Sequence, residues 1–95
     1  SQMGSVALAR AAEMPLYGAS KAALNSLLQS WHRSSERPQA CLLALHPGWV
    51  RTEMGGDQAA LEIEPSVSGL LATIEAHLDA DGCHFLDYQQ LPLPW

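Results

Sequence analysis

A continuous apolar segment, Ala40–His46, constrains the fold of this chain more than any other feature. It reads Ala-Cys-Leu-Leu-Ala-Leu-His and stands between Pro38 and the pair Pro47–Gly48. An apolar run of this length between chain breakers is typical of a strand that is buried on both faces of a parallel sheet. A buried helix of the same length is the alternative, and the flanking breakers disfavour it. The segment therefore predicts a central parallel strand.

The segments on either side of this strand predict an alternation of helices and strands. Apolar residues recur at helical spacing over Leu16–Ser34, which Pro38 should end, and again over Pro65–Leu78, where the proline suits a helix start. A short strand is expected over Cys83–Leu86, and the polar, glycine-containing stretch Trp49–Glu64 is expected to be a long loop. This order predicts an α/β fold with a parallel sheet.

The amino-terminal stretch Ser1–Pro15 has no sustained period. We expect it to be the end of a strand that runs into a loop, with a helical turn over Val6–Ala12. Two strands do not make a stable parallel sheet by themselves. The first residue is Ser1 rather than methionine, and no signal segment follows it. Residues 1–95 are therefore expected to be part of one larger domain, with the remaining strands in an upstream half.

Composition narrows the classes of function that the chain can have. The 95 residues include 10 acidic and 5 basic side chains, which gives a net charge of −5. The basic residues are scattered, whereas nucleic-acid and anionic membrane surfaces need clustered lysine and arginine. No apolar run approaches the roughly 20 residues of a membrane-spanning helix. We expect a cytoplasmic protein with neither nucleic acid nor membrane as a partner.

The cysteines and histidines give no sign of a metal site. Cys41 and Cys83 lie far apart in apolar stretches, and we expect reduced core thiols rather than a disulfide. The four histidines lack the spacing of metal ligands, so no metal is expected. His46 stands beside the loop that follows the central strand, and it is expected to pack there.

Tyr17 and Lys21 form the first candidate for chemistry. Four residues apart on a helix, their side chains share a face. A free tyrosine is a poor acid or base at neutral pH, but a lysine cation held nearby favours the tyrosinate form. The pair could then exchange a proton with a carbonyl or alcohol oxygen. The spacing alone favours the simpler interpretation, in which the two residues are only neighbours on a helix surface.

Two further motifs accompany this pair. Tyr17-Gly-Ala-Ser-Lys-Ala-Ala-Leu-Asn25 lies between Ser1-Gln-Met-Gly4 upstream and Pro47-Gly-Trp-Val-Arg-Thr52 downstream. Together they resemble the active-site helix, the Ser-x-x-Gly motif and the Pro-Gly-x-Val-x-Thr segment of the short-chain dehydrogenase/reductase family. The resemblance covers nearly the whole chain. The stretch His46–Gly56 and the ending Leu91–Trp95 are most similar to a subgroup of small carbonyl reductases, the sniffer-like and C-factor-like proteins.

The resemblance implies a fold, a reaction and a cofactor. The fold would be the carboxyl-terminal part of a Rossmann-type, doubly wound parallel sheet, with about two strands and two to three helices present. The reaction would be NADP-dependent reduction of a small carbonyl compound or oxidation of an alcohol, with NAD as the other possible cofactor. The determinant of that choice lies outside these residues.

The resemblance also assigns roles to individual residues. Ser1 would hydrogen-bond the substrate oxygen, Tyr17 would be the general acid in reduction and the base in oxidation, and Lys21 would favour the tyrosinate and hold the nicotinamide ribose. The residues implied for cofactor binding are Tyr17, Lys21, Pro47, Gly48, Val50 and Thr52.

The chain departs from the family pattern in three places. Ser1 stands farther from Tyr17 than is common in the family, which an insertion within Val6–Pro15 would explain, and Ser5 is a rival for the serine role. Gln89-Gln90 replaces a glycine-containing turn. The Gly-rich turn that receives the cofactor pyrophosphate is not in the sequence.

These departures leave open what the chain does by itself. We expect the isolated 95 residues to be inactive. A non-catalytic scaffold or interaction module is the alternative to an enzyme. The leucines and Trp31 of the helix Tyr17–Ser34 could belong to the core or to a homodimer interface.

Overall fold

The computed structural model describes residues 1–37 and 39–95, so Pro38, which was predicted to end the first helix, lies outside the described residues. A short 3₁₀ helix spans Gln2–Gly4. Two α-helices follow, α1 over Pro15–Arg33 and α2 over Ile63–Ala76. Two strands alternate with them, β1 over Leu42–His46 and β2 over Cys83–Asp87. The predicted order of helix, strand, loop, helix and strand is confirmed.

The two strands pair in parallel, which confirms the α/β fold class. Leu42 lies opposite Cys83, and His46, at the other end of the pairing, lies opposite Asp87. The connection between them passes through α2, as parallel pairing requires a crossover. Both cysteines are free and half-buried.

Strand β2, rather than β1, is the better buried of the two. Every β1 side chain is only half-buried, whereas Phe85 and Leu86 of β2 are buried. The reason is the carboxyl-terminal tail, which runs back along the free side of β2: the Leu93 amide donates to the Phe85 carbonyl at 2.8 Å. The Trp95 ring then packs on the Phe85 ring, with centroids 5.2 Å apart. The prediction that β1 is buried on both faces is wrong for the described residues.

The first residues form a 3₁₀ helix instead of the predicted strand end. The Ser1 hydroxyl accepts a hydrogen bond from the Met3 amide at 3.2 Å, which closes a tight turn at the start of the chain. Within Val6–Ala12, where a helical turn was predicted, residues 6–9 form a single turn in which the Ala9 amide donates to the Ser5 carbonyl at 3.2 Å, and no longer helix follows.

Helix boundaries agree with the predictions to within two residues. Pro15 is the first residue of α1, where its missing amide costs no hydrogen bond. The helix ends where the Ser34 amide and hydroxyl both donate to the Trp31 carbonyl. Helix α2 begins two residues before Pro65. The proline still lies in the first turn, where its missing amide breaks no helical hydrogen bond.

Both helices turn small and polar residues, not their apolar stripes, toward the rest of the chain. On α1 the buried residues are Gly18 and Asn25, while Leu27 is 68% exposed. On α2 the buried residues are Ser66 and Thr73. Most of each predicted apolar face is therefore exposed in the residues that the structure describes, and only Leu28 and Leu70 are half-buried. Neither helix in this part of the chain is long and apolar enough to cross a membrane.

At Gly69, helix α2 lies close to the turn that follows β2. A Cβ atom at this position would lie 2.2 Å from the carbonyl oxygen of Tyr88, in the turn that follows β2. Backbone atoms cannot yield as a flexible side chain can. The absence of a side chain at Gly69 therefore sets the distance between α2 and the sheet.

We expect Gly69→Ala to lower the free energy of unfolding by about 1–3 kcal/mol, because the new methyl group overpacks this contact. At an unconstrained helix position the same change would stabilise by about 1 kcal/mol. Urea unfolding of the full-length gene product measures the effect. Ser68→Ala, at the exposed neighbouring position, is the control and should change stability by less than about 0.5 kcal/mol. Equal stability of the two variants would contradict the close approach.

Candidate functional site

A backbone contact brings the start of the chain onto α1. A Cβ atom on Gly4 would lie 2.8 Å from the Lys21 carbonyl carbon, and one on Gly18 would lie 3.2 Å from the Met3 carbonyl oxygen. Glycine at both positions lets the 3₁₀ helix lie directly against the first turns of α1. The contact places the Ser1 segment beside the helix that carries Tyr17 and Lys21.

Tyr17 and Lys21 meet on one face of α1, as their spacing predicts. The Lys21 Nζ atom lies 5.6 Å from the centroid of the Tyr17 ring, within the range of a cation–π contact. Both side chains are half-buried. A phenol and an ammonium are thus held together at a half-buried surface.

The two candidate serines have different surroundings. Ser5 is buried, and its hydroxyl donates to the Pro94 carbonyl at 2.5 Å while accepting from the Leu8 amide at 3.1 Å. Ser1 is half-buried, and its hydroxyl accepts from the Met3 amide. The Ser1 hydroxyl keeps its proton available for donation, whereas the Ser5 proton is already committed. The geometry therefore favours Ser1 for the serine role.

The Ser1 segment also contacts the carboxyl end of β1. The Ser1 nitrogen donates to the Leu45 carbonyl at 3.4 Å, and the Gln2 amide donates to Nδ1 of His46 at 3.2 Å. His46, expected from the sequence only to pack, makes a specific hydrogen bond.

The loop predicted to bind the cofactor begins where β1 ends. The Pro47 carbonyl accepts a hydrogen bond from the Ser66 hydroxyl at 2.7 Å. Gly48 has a φ of +85°, and a Cβ atom there would lie 2.6 Å from the Leu61 side chain and 3.0 Å from the Tyr88 ring. This position thus requires glycine for both its conformation and its packing.

Val50 and Thr52 organise the rest of this loop. Val50 forms a parallel bridge with Leu61. The Thr52 hydroxyl accepts from the Gly55 amide at 3.1 Å, and the Thr52 carbonyl accepts from the Gly56 amide at 2.8 Å. Thr52 is exposed, so its hydroxyl can still donate a hydrogen bond to a ligand.

Sequence reasoning missed the residues that support the loop from behind. Ser66 and Tyr88 hold Pro47 and Gly48, and Arg51 forms an ion pair with Glu62 across the loop. The ion pair is exposed and contributes little to stability. A serine in the first turn of a helix is too common to be a signal, and Tyr88 becomes informative only once its contact with Gly48 is known.

The predicted residues thus fall into two groups that share the carboxyl end of β1. Ser1, Tyr17 and Lys21 lie where the 3₁₀ helix meets α1, and the loop with Pro47, Gly48, Val50 and Thr52 continues directly from the strand. Ligands of parallel α/β sheets bind outside the carboxyl ends of the strands. The described residues contain no cluster of three or more side chains that could hold a metal ion.

Comparison with known proteins places this arrangement among characterised relatives. No protein-family model matches the chain. The chain is 38% identical over all 95 residues to C-signal from Myxococcus xanthus and spans 57% of that protein.

Solved structures resemble the chain over its whole length. It is 58% identical to a carbonyl reductase from Pseudomonas aeruginosa PAO1 in complex with NADP, with a TM-score of 0.88, and covers 41% of that chain. It is 33% identical to the carbonyl reductase Sniffer of Drosophila melanogaster, with a TM-score of 0.80, and covers 38% of it. The chain therefore spans less than two thirds of each of these proteins.

We expect Ser5→Ala to lower the free energy of unfolding by about 1–2 kcal/mol, because the Leu8 amide and the Pro94 carbonyl both lose their partner. Denaturant unfolding of the full-length gene product measures this loss. Ser26→Ala, on the exposed face of α1, is the matched control and should be nearly neutral. A Ser5→Ala variant as stable as the control would show that the Ser5 bonds do not hold the tail.

Proposed function

Since the chain corresponds over its whole length to part of the short-chain dehydrogenase/reductase carbonyl reductases, we propose that the protein containing it is an NADPH-dependent oxidoreductase. Its substrate is a small carbonyl compound, or an alcohol in the reverse direction. The observation that carries the proposal is the contact of Gly4 with Lys21, which sets the Ser1 hydroxyl beside the helix that bears the tyrosine and lysine.

The residues present fit a dinucleotide cofactor in chemistry. Lys21 offers an ammonium and Thr52 an exposed hydroxyl. Both can hydrogen-bond the hydroxyl groups of a ribose or the amide group of a nicotinamide ring. The cofactor would be held by Tyr17, Lys21, Pro47, Gly48, Val50 and Thr52. When bound, it would supply the hydride. The donors for its pyrophosphate are not among these residues, because the 95-residue sequence has no Gly-rich turn between a strand and a helix.

In the proposed reaction, three side chains transfer the proton and stabilise the charge that develops on the substrate oxygen. The Ser1 hydroxyl donates a hydrogen bond to the carbonyl oxygen and stabilises the negative charge that develops there. The Tyr17 hydroxyl gives its proton to that oxygen in reduction and takes it back in oxidation. The Lys21 cation, 5.6 Å from the Tyr17 ring, stabilises the tyrosinate between these steps.

We propose that the 95 residues are the carboxyl-terminal part of a larger domain and are inactive by themselves. The half-buried β1 side chains and the exposed apolar residues of α2 support this. Asn25 adds to it: the residue is 8% exposed, and its Nδ2 atom has no hydrogen-bond partner among the described residues. A buried amide group without a partner is costly, so a further packed segment is expected to satisfy it.

We also propose a cytoplasmic location and chemically inert cysteines. Burial raises the pKa of both thiols, and for Cys83 the nearby Cys41 adds to this effect. Thiols in such surroundings are poor nucleophiles at neutral pH. Neither cysteine has a role in the proposed reaction.

Tyr17→Phe should reduce kcat by about 100-fold or more while changing the NADPH dissociation constant by less than a few-fold, because only the transferable proton is lost. Lys21→Ala should weaken both turnover and NADPH binding. The assay follows NADPH oxidation by the full-length gene product with para-nitrobenzaldehyde and a panel of ketones. Tyr88→Phe removes the hydroxyl of the other tyrosine and serves as the control. Unchanged turnover of Tyr17→Phe would overturn the mechanism.

We propose that the exposed stripe of α1 joins two copies of the protein. The stripe comprises Leu24, Leu27 and Trp31, which are 57%, 68% and 49% exposed. Burying such residues at a helix–helix contact removes a large apolar area from water. A non-catalytic scaffold would also use such a face, but the presence of Ser1, Tyr17 and Lys21 in one site favours the enzyme.

Leu27→Lys should convert a dimer of the full-length gene product into monomers, because a charged side chain cannot be desolvated at the contact. Sedimentation velocity measures the change. Leu78→Lys, which is at a 72% exposed position after α2, is the control and should leave the dimer intact. A monomeric wild-type protein, or a Leu27→Lys dimer, would contradict this interface.

A further inference from the structure

The hydrogen bond between Gln2 and His46 joins the proposed catalytic serine to the sheet. His46 is the last residue of β1, and its Nδ1 atom lies 3.2 Å from the backbone nitrogen of Gln2. A backbone amide can only donate, so Nδ1 must be the unprotonated nitrogen of the ring. The geometry therefore selects one form of His46, the neutral imidazole with its proton on Nε2.

We propose that His46 is a positioning residue: its ring, as the neutral Nε2–H tautomer, holds the Gln2 backbone and thereby sets the Ser1 hydroxyl relative to Tyr17. This inference rests on the proposed function, and it adds a residue that acts through the serine without touching substrate or cofactor. His46 also directly precedes Pro47. One side chain therefore connects the turn of residues 1–4, called the serine turn below, with residues 47–52, the loop proposed to bind the cofactor.

The argument begins with how the serine turn is held. Within the turn, the Ser1 hydroxyl accepts from the Met3 amide. On one side, Gly4 packs against the backbone of Lys21. On the other side, the turn is tied to β1 by the 3.4 Å contact from the Ser1 nitrogen to the Leu45 carbonyl and by the 3.2 Å bond from Gln2 to His46.

Of these two ties to β1, the bond to His46 is the shorter. At 3.4 Å the contact of the Ser1 nitrogen is beyond the usual range for N–H···O hydrogen bonds, whereas 3.2 Å lies at its upper end. Without the imidazole acceptor, the half-buried Gln2 amide would lose its partner, and only the longer contact to Leu45 would tie the turn to β1. A displacement of Ser1 by a fraction of an ångström would then weaken its hydrogen bond to the substrate oxygen.

Burial and one neighbouring charge act on His46. Burial lowers its pKa, and the Asp87 carboxylate on β2 opposes this effect. On α1, Lys21 is the charged residue whose backbone the serine turn contacts through Gly4. Asp87 is engaged in its own turn, where its Oδ1 atom accepts from the Gln89 and Leu91 amides.

The direction of this shift gives a pH dependence. A histidine whose folded pKa lies below the unfolded value of about 6.5 binds fewer protons when folded, so its contribution to stability is present above pH 6.5 and lost as pH falls through the folded pKa. Protonation also turns Nδ1 into a donor that faces the donor of Gln2. The serine turn should therefore loosen on the acid side.

The test compares two replacements of His46 in the full-length gene product. His46→Asn keeps an acceptor near the position of Nδ1 and cannot titrate, whereas His46→Leu keeps the volume and removes the acceptor. His84→Leu, on β2 at the opposite end of the sheet, is the matched control. The kcat with NADPH and para-nitrobenzaldehyde is measured across the pH range, together with the NADPH dissociation constant.

The inference predicts a loss of kcat of about tenfold or more for His46→Leu at neutral pH, with NADPH binding changed by less than about threefold. His46→Asn should keep most of the wild-type kcat, and its kcat should fall at lower pH than that of the wild type. His84→Leu should behave as the wild type. Wild-type kcat in His46→Leu, equal losses in both His46 variants, or identical acid limbs in wild type and His46→Asn would overturn the role.

Two further measurements keep the outcome decisive. If His46→Leu does not fold, the ¹⁵N shifts of the wild-type His46 ring still report the tautomer, and a protonated Nδ1 at neutral pH would overturn the inference. Tyr17→Phe is assayed in parallel. Its unchanged turnover would remove the proposed function, whereas an inactive Tyr17→Phe with a fully active His46→Leu would remove only the role of His46.

Discussion

The contact between two stretches of backbone, at Gly4 and Lys21, is the constraint on which the arrangement of the site depends. Moving Gly4 away from Lys21 would separate the serine turn from α1. A Cβ atom on Gly4 would already lie 2.8 Å from the Lys21 backbone, so only glycine permits this approach. Side chains could have filled a wider gap between the two backbones. Their rotamer freedom would then have loosened the position of Ser1 relative to Tyr17 and Lys21. Glycine gives a fixed distance because only main-chain atoms define it. The same device recurs at Gly69, where α2 approaches the Tyr88 carbonyl.

Strand β1 is the element to which both halves of the site are attached. Its last two residues receive the hydrogen bonds of the serine turn, and the next two, Pro47 and Gly48, begin the proposed cofactor loop. Ser66 on α2 holds that loop from behind. A displacement of β1 would therefore move both groups together and preserve their relative position. This explains how a sheet of only two described strands can still present an ordered site.

The sequence allowed the elements and the motif residues to be predicted, but not the faces that they bury. Periodicity located α1 and α2 within two residues, and the breakers around Ala40–His46 located β1. The leucines of α1 were open to assignment as core or interface, and the structure leaves Leu24 and Leu27 exposed while burying Asn25. Periodicity shows that a stripe is apolar and does not show what covers it. The role of Ser5 was equally out of reach, because its partner Pro94 is 89 residues away and no local pattern reports such a contact.

The tie between residues 5–6 and residues 94–95 has a consequence for how the protein is made. The Val6 amide donates to the Trp95 carbonyl at 2.8 Å, and the Ser5 hydroxyl donates to the Pro94 carbonyl. Residues 5 and 6 emerge from the ribosome long before residues 94 and 95, so these two bonds cannot form while the intervening residues are being synthesised. Contacts of such high sequence separation are among the slowest to form. A chain that stops short of residue 94 would carry every motif residue from Ser1 to Thr52 and still lack the bonds that fix the residues after the serine turn.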